Sequence, residues 1–223
     1  AGAEPGNYQL TVAVNDRPTG LVIARNVAPL RDEQLDQAPT RLYADSPSLV
    51  RDRATDGYLR TAETPAGKPA DALYLEQIST GALLADAQEA YNTEKWDRAL
   101  ELYAAAVKRP DGQQLRAFNG LYLANMQLGR ADAAEEAFGK IAAFGLATDN
   151  LAMKLLFRPG STEFLADGNP NVEHYPMWLR QIARAAQGGD LCLNIVGHTS
   201  KTGSEPLNER LSLQRAVTVR DRL

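Results

Sequence analysis

One cysteine and two histidines are all that 223 residues offer for thiol or transition-metal chemistry. A lone Cys192 excludes an internal disulfide and a multi-cysteine metal centre, and its place in the apolar run LCLNIV predicts a buried thiol acting as a small hydrophobe. Neither HExxH nor CxxC occurs, so no metal and no cofactor is expected. Long apolar runs are missing too: stretches such as Leu191–Val196 break far short of the roughly 18 to 20 residues that span a bilayer. Charge of one sign is scarce, and a net charge of −4 provides no field to capture nucleic acid. The glycine-containing stretches RPGST and SKTGS lack the spacing of a phosphate-cradling loop. No Met and no charged, then apolar leader stands at Ala1, so any export signal is expected to have been removed or to lie outside the given sequence.

What is present describes a globular chain, with 44% hydrophobic and 23% charged residues and enough length for about two compact units. The pattern divides it into three segments, 1–78, 79–147 and 148–223, and the expected class is α+β. In the first segment Tyr8, Leu10, Val12 and Val14 alternate as in a half-buried strand. NDRPTG is turn chemistry, and Leu21–Ala24 returns as a second strand, giving a hairpin. From Asn26 to about Lys68 no period lasts, which predicts irregular or extended chain closing on the linker-like TPAGKPA of Thr64–Ala70.

The middle segment changes character. Ala82–Val107 and Gln114–Phe144 are Ala-rich with helical spacing. Ala87, Ala90, Trp96, Ala99, Tyr103 and Ala106 alternate small and large positions as paired helices require. Leu121, Gly129, Ala131, Ala134, Phe138 and Ile141 repeat the plan, with Ala99 and Ala134 spaced 35 residues apart. On WDRALELYAAAV and LGRADAAEEAF the stretch resembles the tetratricopeptide family, whose period is about 34 residues. The resemblance implies stacked helical hairpins that bind a protein partner.

From Leu151 the elements alternate. LAMKLLF reads as a strand, and MWLRQIARAAQ as a helix with Leu179, Ile182, Ala183 and Ala186 on one face, ended by Gly188 and Gly189. LCLNIVGHT is apolar on both faces, as a central strand is, and Ser204 is expected to cap a last helix starting at Glu205. A strand, helix, strand, helix order predicts a layered α/β unit with ligand loops at the carboxyl ends of its strands.

LLFRPGSTEF and NIVGHTSKTGSEPLNERLSLQRAVTVRDRL together resemble the OmpA-like domain of outer-membrane proteins, peptidoglycan-associated lipoproteins and flagellar-motor stators. The resemblance implies an α/β sandwich binding the diaminopimelate stem peptide of peptidoglycan. In that family a strand-end carboxylate takes the ligand ammonium and an Arg on the next helix takes the ligand carboxylate. The family's Arg falls on Arg215, whose guanidinium is expected to project into an open, hydrated recess beside the second strand's exit, where an anionic group is clasped. Asn208, Ser212 and Arg215 share one polar stripe of the helix, beside an apolar stripe of Leu211, Ala216 and Val219, and the polar stripe would face the loop of Thr199, Ser200 and Gly203.

One departure matters: Ser200 stands where the family has its ammonium-binding Asp. Losing one partner of a desolvated charged contact costs about 2 to 5 kcal/mol. Glu205 is a candidate substitute, with Lys201 opposing it. The family also continues past this helix with a further strand, so truncation at Leu223 is expected.

The remaining candidates read blandly. His198 has no fixed nucleophile or acid partner and is expected to orient a loop, His174 to be exposed, and Glu135 and Glu136 to belong to a solvated face. No catalytic constellation emerges. The expectation is a non-enzymatic scaffold of the periplasm, associated with the outer membrane or cell wall, that binds peptidoglycan through Arg215 and its neighbours and a protein partner through its helices. The alternative is a protein docking module whose OmpA-like domain has lost the wall ligand.

Overall fold

The computed structural model describes residues 7–31, 38–47, 53–169, 171–187, 191–200 and 202–223, and Gly188, Gly189 and Lys201, singled out above, lie outside them. Among the described residues the architecture is mixed α+β, an antiparallel two-stranded hairpin followed by eight α-helices.

Strand β1 (Asn7–Asn15) pairs with β2 (Val22–Arg31) from Asn7↔Arg31 to Asn15↔Val22, with an irregularity after Val14. The second strand thus runs seven residues beyond the expected Ala24, through Pro29 opposite Gln9, in a two-stranded sheet where both strands are edges and proline is tolerated. The expected alternation is there, but the apolar side is not covered: Tyr8, Leu10, Val12 and Val14 are 43–49% exposed. The hairpin is anchored at its turn end. Val22 is fully buried, its N–H donates to Lys68 O at 2.9 Å and its carbonyl accepts from Gly67 N at 2.7 Å. Thr64–Ala70 is therefore pinned to the hairpin and is not a loose linker.

Two helices occupy the stretch expected to be irregular, α1 (Arg41–Asp45) and α2 (Arg53–Glu63). The buried positions of α2 are Ala54, Gly57 and Thr61, all small, so no large-hydrophobe periodicity announces it. They permit close packing on α3 (Ala72–Asn92), where the Tyr58 hydroxyl occupies the space a side chain would need at Gly81. Helix α3 starts ten residues before the expected Ala82, because Asp71 caps it by accepting from Leu73 N and Tyr74 N at 3.1 and 3.3 Å.

Helices α4 (Trp96–Val107), α5 (Leu115–Gln127) and α6 (Ala131–Ala147) complete two helical hairpins. The 35-residue spacing is written in the backbone. Glu94 at φ 61° and Gly129 at φ 68° each reverse the chain, and Lys95 N→Ala90 O (2.8 Å) corresponds to Arg130 N→Asn125 O (2.9 Å). Ala99 and Ala134 are both fully buried at matching crossings. Gly120 lets α5 touch α4, since a Cβ there would lie 2.2 Å from the Tyr103 ring.

After a 3-10 turn (Val172–His174), α7 (Tyr175–Ala186) packs on α6. Its Leu179 and Ile182 are buried as expected, but the anchor is Trp178, stacked on Phe138 at 5.6 Å. One continuous core runs from Leu84 to Ile182 across the expected boundary at 147/148. Glu135 does not belong to a free solvated face: it accepts from Arg180 and Gln181 at 3.0 and 2.6 Å, joining α6 to α7, and Arg180 above all holds its carboxyl below the usual range. His174 is half-buried rather than exposed.

The two segments expected to be strands, 151–157 and 191–199, form no ladder among the described residues; Phe157 makes one isolated bridge to Phe164. Apolar patterning supplies a strand's side chains but not the neighbour that makes it part of a sheet. Cys192 is exposed, correcting the expected burial, because no sheet or helix layer encloses its segment on both sides. The last helix, α8 (Glu205–Arg220), has no fully buried residue. No described helix is long and apolar enough to cross a membrane.

Candidate functional site

The site is built from three pieces. Arg158–Ser161 is a tight turn closed by Ser161 N→Arg158 O at 3.1 Å, with Pro159 second and Gly160 third at φ +66°, as a Pro-Gly sequence favours. The segment 191–200 runs against α8 with almost no clearance: a Cβ on Gly197 would lie 1.9 Å from Ser212 O. That contact explains the glycine of the GHT stretch. The third piece is α8 itself, entered through Ser204, whose backbone stands at the cap position although its hydroxyl makes no capping bond.

Arg215 ties the three together. Its Nε donates to Ser161 O at 3.0 Å, one terminal nitrogen to His198 O at 2.8 Å, and the other to Arg158 O at 2.9 Å. The guanidinium also sits 5.2 Å over the Phe157 ring. An open, hydrated recess was the expectation; the guanidinium is instead clasped by carbonyls of its own chain. A guanidinium carries five N–H donors, so two have no partner among the described residues, one on each terminal nitrogen. Arg215 makes no ion pair with a carboxylate among the described residues, and three carbonyl dipoles offset its charge only in part. His198 takes part through its carbonyl.

The other expected residues gather on the far side of the 197–200 stretch. Thr199, Ser200, Gly203, Asn208 and Ser212 line a shallow hollow of about 430 Å³, together with Glu205 and Glu209. Arg215 is not among its walls. It opens on a neighbouring, more apolar cavity of about 720 Å³, which Thr199 and Ser200 also line. In the hollow the polar groups hold one another. Ser200 Oγ and Thr202 Oγ1 are 2.7 Å apart, Asn208 Nδ2 donates to Thr202 O at 3.1 Å, and Ser212 Oγ donates back to Glu209 O at 2.8 Å. Gly203, at φ +99°, turns the loop.

Of the six expected residues, five meet in one hollow and Arg215 lies across a wall from them. Sequence reasoning missed Arg158, Ser161 and the carbonyl of His198 as partners of Arg215. Only the Pro-Gly turn signal marked the first two, because backbone carbonyls are supplied by every residue type. No family model, no curated protein and no solved structure matches the chain.

Proposed function

We propose that the chain is a non-enzymatic scaffold of the cell envelope, facing the periplasm, that captures the diaminopimelate stem peptide of peptidoglycan while its helical hairpins hold a protein partner. The reading joins the OmpA-like and tetratricopeptide-like resemblances to one observation. Arg215 is a half-buried guanidinium fixed in place by three carbonyls, with two donors left and no carboxylate partner among the described residues. Two donors are the number a carboxylate fork uses, and the three bonds already made restrict the side chain's rotamers, so little entropy is lost on binding. A ligand ammonium would meet Glu205 and Glu209 beside Ser200, in place of the carboxylate that Ser200 lacks.

A docking module without wall affinity is favoured by the opposite aspect of the same geometry. Three of the five guanidinium donors serve the chain's own fold, and Ser200 is bound to Thr202. Retention on purified sacculi, with and without free diaminopimelate, separates the two. Stem-peptide capture requires saturable competition, and Ser200→Asp, which leaves the clasp intact, should tighten binding by about tenfold or more. Retention that ignores both diaminopimelate and Ser200→Asp would remove stem-peptide capture and leave docking.

A further inference from the structure

The two faces of the hairpin are turned the opposite way from what burial favours. Directly opposite residues of antiparallel strands share a face, so the register puts Leu10 with Ala28 and Val14 with Ala24 on one side, and Thr11 with Val27 and Ala13 with Arg25 on the other. The second, more polar side is the one that packs inward. Arg25 Nε donates to Ala62 O of α2 at 2.9 Å, and Tyr74 Oη of α3 donates to Asn15 Oδ1 at 2.7 Å. The apolar side points to solvent, where Leu10, Val12 and Val14 are each about half exposed. Apolar side chains on a sheet face contribute to stability only when covered, and a two-stranded sheet is marginal without a second layer.

Charge, shape and size of that face select its cover. It carries no charge: both arginines of β2, Arg25 and Arg31, fall on the other side, so a copy of the same face meets no like-charge repulsion. A lipid surface would ask for cations around the apolar patch, and the hairpin turns them away from it. The bulk of the face tapers, from Tyr8 opposite Leu30 at the open end to Val14 opposite Ala24 at the turn. Two such faces stacked antiparallel set each wide end on the other's narrow end, which is how packed sheet faces interdigitate. Nine residues of β1 beside β2 present a face of about 30 by 10 Å. Stacking two of them buries on the order of 1,000 Å² in total, the least that a specific interface needs.

We propose that the chain forms a homodimer through this face, about a two-fold axis that passes between the two β1 strands at the level of Thr11. In that arrangement Leu10 lies over Val12 of the second copy, Val12 over its Leu10, and Val14 over its Tyr8, with the strands of the two sheets about 30° apart. Asn26, the one polar residue of the face, sits on β2 at the rim, where its amide keeps access to water. An interface at the lower size limit holds its copies reversibly, so the dimer forms with rising concentration. The inference goes beyond the wall-binding and partner-binding reading and does not depend on it.

The test is sedimentation velocity of the full chain from about 1 to 200 μM, the range in which so small an interface forms and parts. The parent should pass from monomer to dimer within it. Val12→Asp buries an unpaired carboxylate on each side of the axis and should weaken the dimer at least about a hundredfold. Cross-linking tests the same arrangement without a buried charge. In a Cys192→Ser chain, Leu10→Cys with Val12→Cys should oxidise to a covalent dimer, since each new thiol meets the other position of the second copy. Val14→Cys alone should not, because its two copies lie roughly 20 Å apart. A chain that stays monomeric at every concentration, a dimer indifferent to Val12→Asp, or equal cross-linking of the two cysteine variants overturns the proposal, whether or not the face then binds vesicles or another protein.

Discussion

The indole N–H of Trp178 donates to the hydroxyl of Tyr122 at 3.0 Å, joining α7 to α5 over a sequence separation of 56 residues. Both side chains are 1% exposed, so neither group has water as a fallback. Tyr122→Phe removes the acceptor while keeping the ring, and should cost about 1–3 kcal/mol through the stranded indole N–H. Urea denaturation should show a lower midpoint at unchanged slope; an unchanged midpoint would mean that the bond contributes nothing net.

The same tyrosine makes the fold alkali-sensitive. Burial pushes the Tyr122 phenol up to about 12, against the lowering effect of the Trp178 hydrogen bond. Tyr91 and Tyr103 are raised further, in both cases chiefly by burial, with the Asp45 carboxylate adding to the effect at Tyr91. The folded state keeps phenolic protons that the unfolded chain releases above its ordinary value of about 10. Their contribution is therefore complete below pH ~10 and is lost as pH rises through the folded values, at about 1.4 kcal/mol per pH unit for each tyrosine. Stability measured from pH 9 to pH 11.5 should fall, and Tyr122→Phe should make the fall shallower by one tyrosine's share. Parallel curves would refute that assignment.

Gly120→Ala and Gly129→Ala separate packing from backbone conformation. A methyl at position 120 enters the Tyr103 ring, with three ring atoms at 2.2–2.4 Å, and must push α4 from α5 at about 1–3 kcal/mol or more. At position 129 a methyl meets nothing within 4 Å, and the cost is only that of φ +68° for an L-residue, about 1–2 kcal/mol. Only the first should also shift the near-ultraviolet circular dichroism of the aromatic core.

Asp71 should set an acid limit. The Arg60 hydrogen bond above all, together with the N–H groups of Tyr74 and Leu73, holds its carboxyl below the usual range. A depressed value means a contribution present above the ordinary carboxylate value of about 3.9 and lost as pH falls through the folded one. Asp71→Ala should cost about 0.5–2 kcal/mol at neutral pH by uncapping α3. Asp71→Asn keeps an acceptor for the cap and should lose mainly the pH dependence between pH 5 and 3; a variant as acid-sensitive as the parent would exclude Asp71 as a titrating group.

Much of the helical middle was legible because Ala87, Ala99, Tyr103, Ala134 and Phe138 recur on a helical period, and burial of that face is what the period implies. Helix α2 was not, because Ala54, Gly57 and Thr61 bury a face too small to register as hydrophobic. The hairpin was legible from alternation and turn residues, though not its length, since β2 is held by ladder bonds that Pro29 would locally discourage. At the candidate site the residue types were legible and their roles were not: Arg215 was readable as a cation on the polar stripe of α8, but the carbonyls that clasp it carry no side-chain signature.

Sequence alone determined that a hairpin opens the chain and that helices fill its middle and the stretches around 177–186 and from Glu205, since these follow from propensity and period over a few turns. Only tertiary structure decided that Trp178 closes the core, that residues 38–47 settle on α3 and α5, and that Arg215 is held by three carbonyls. Those contacts join residues 17 to 82 positions apart, and no local preference specifies which distant backbone group or ring a side chain will meet once the chain has collapsed.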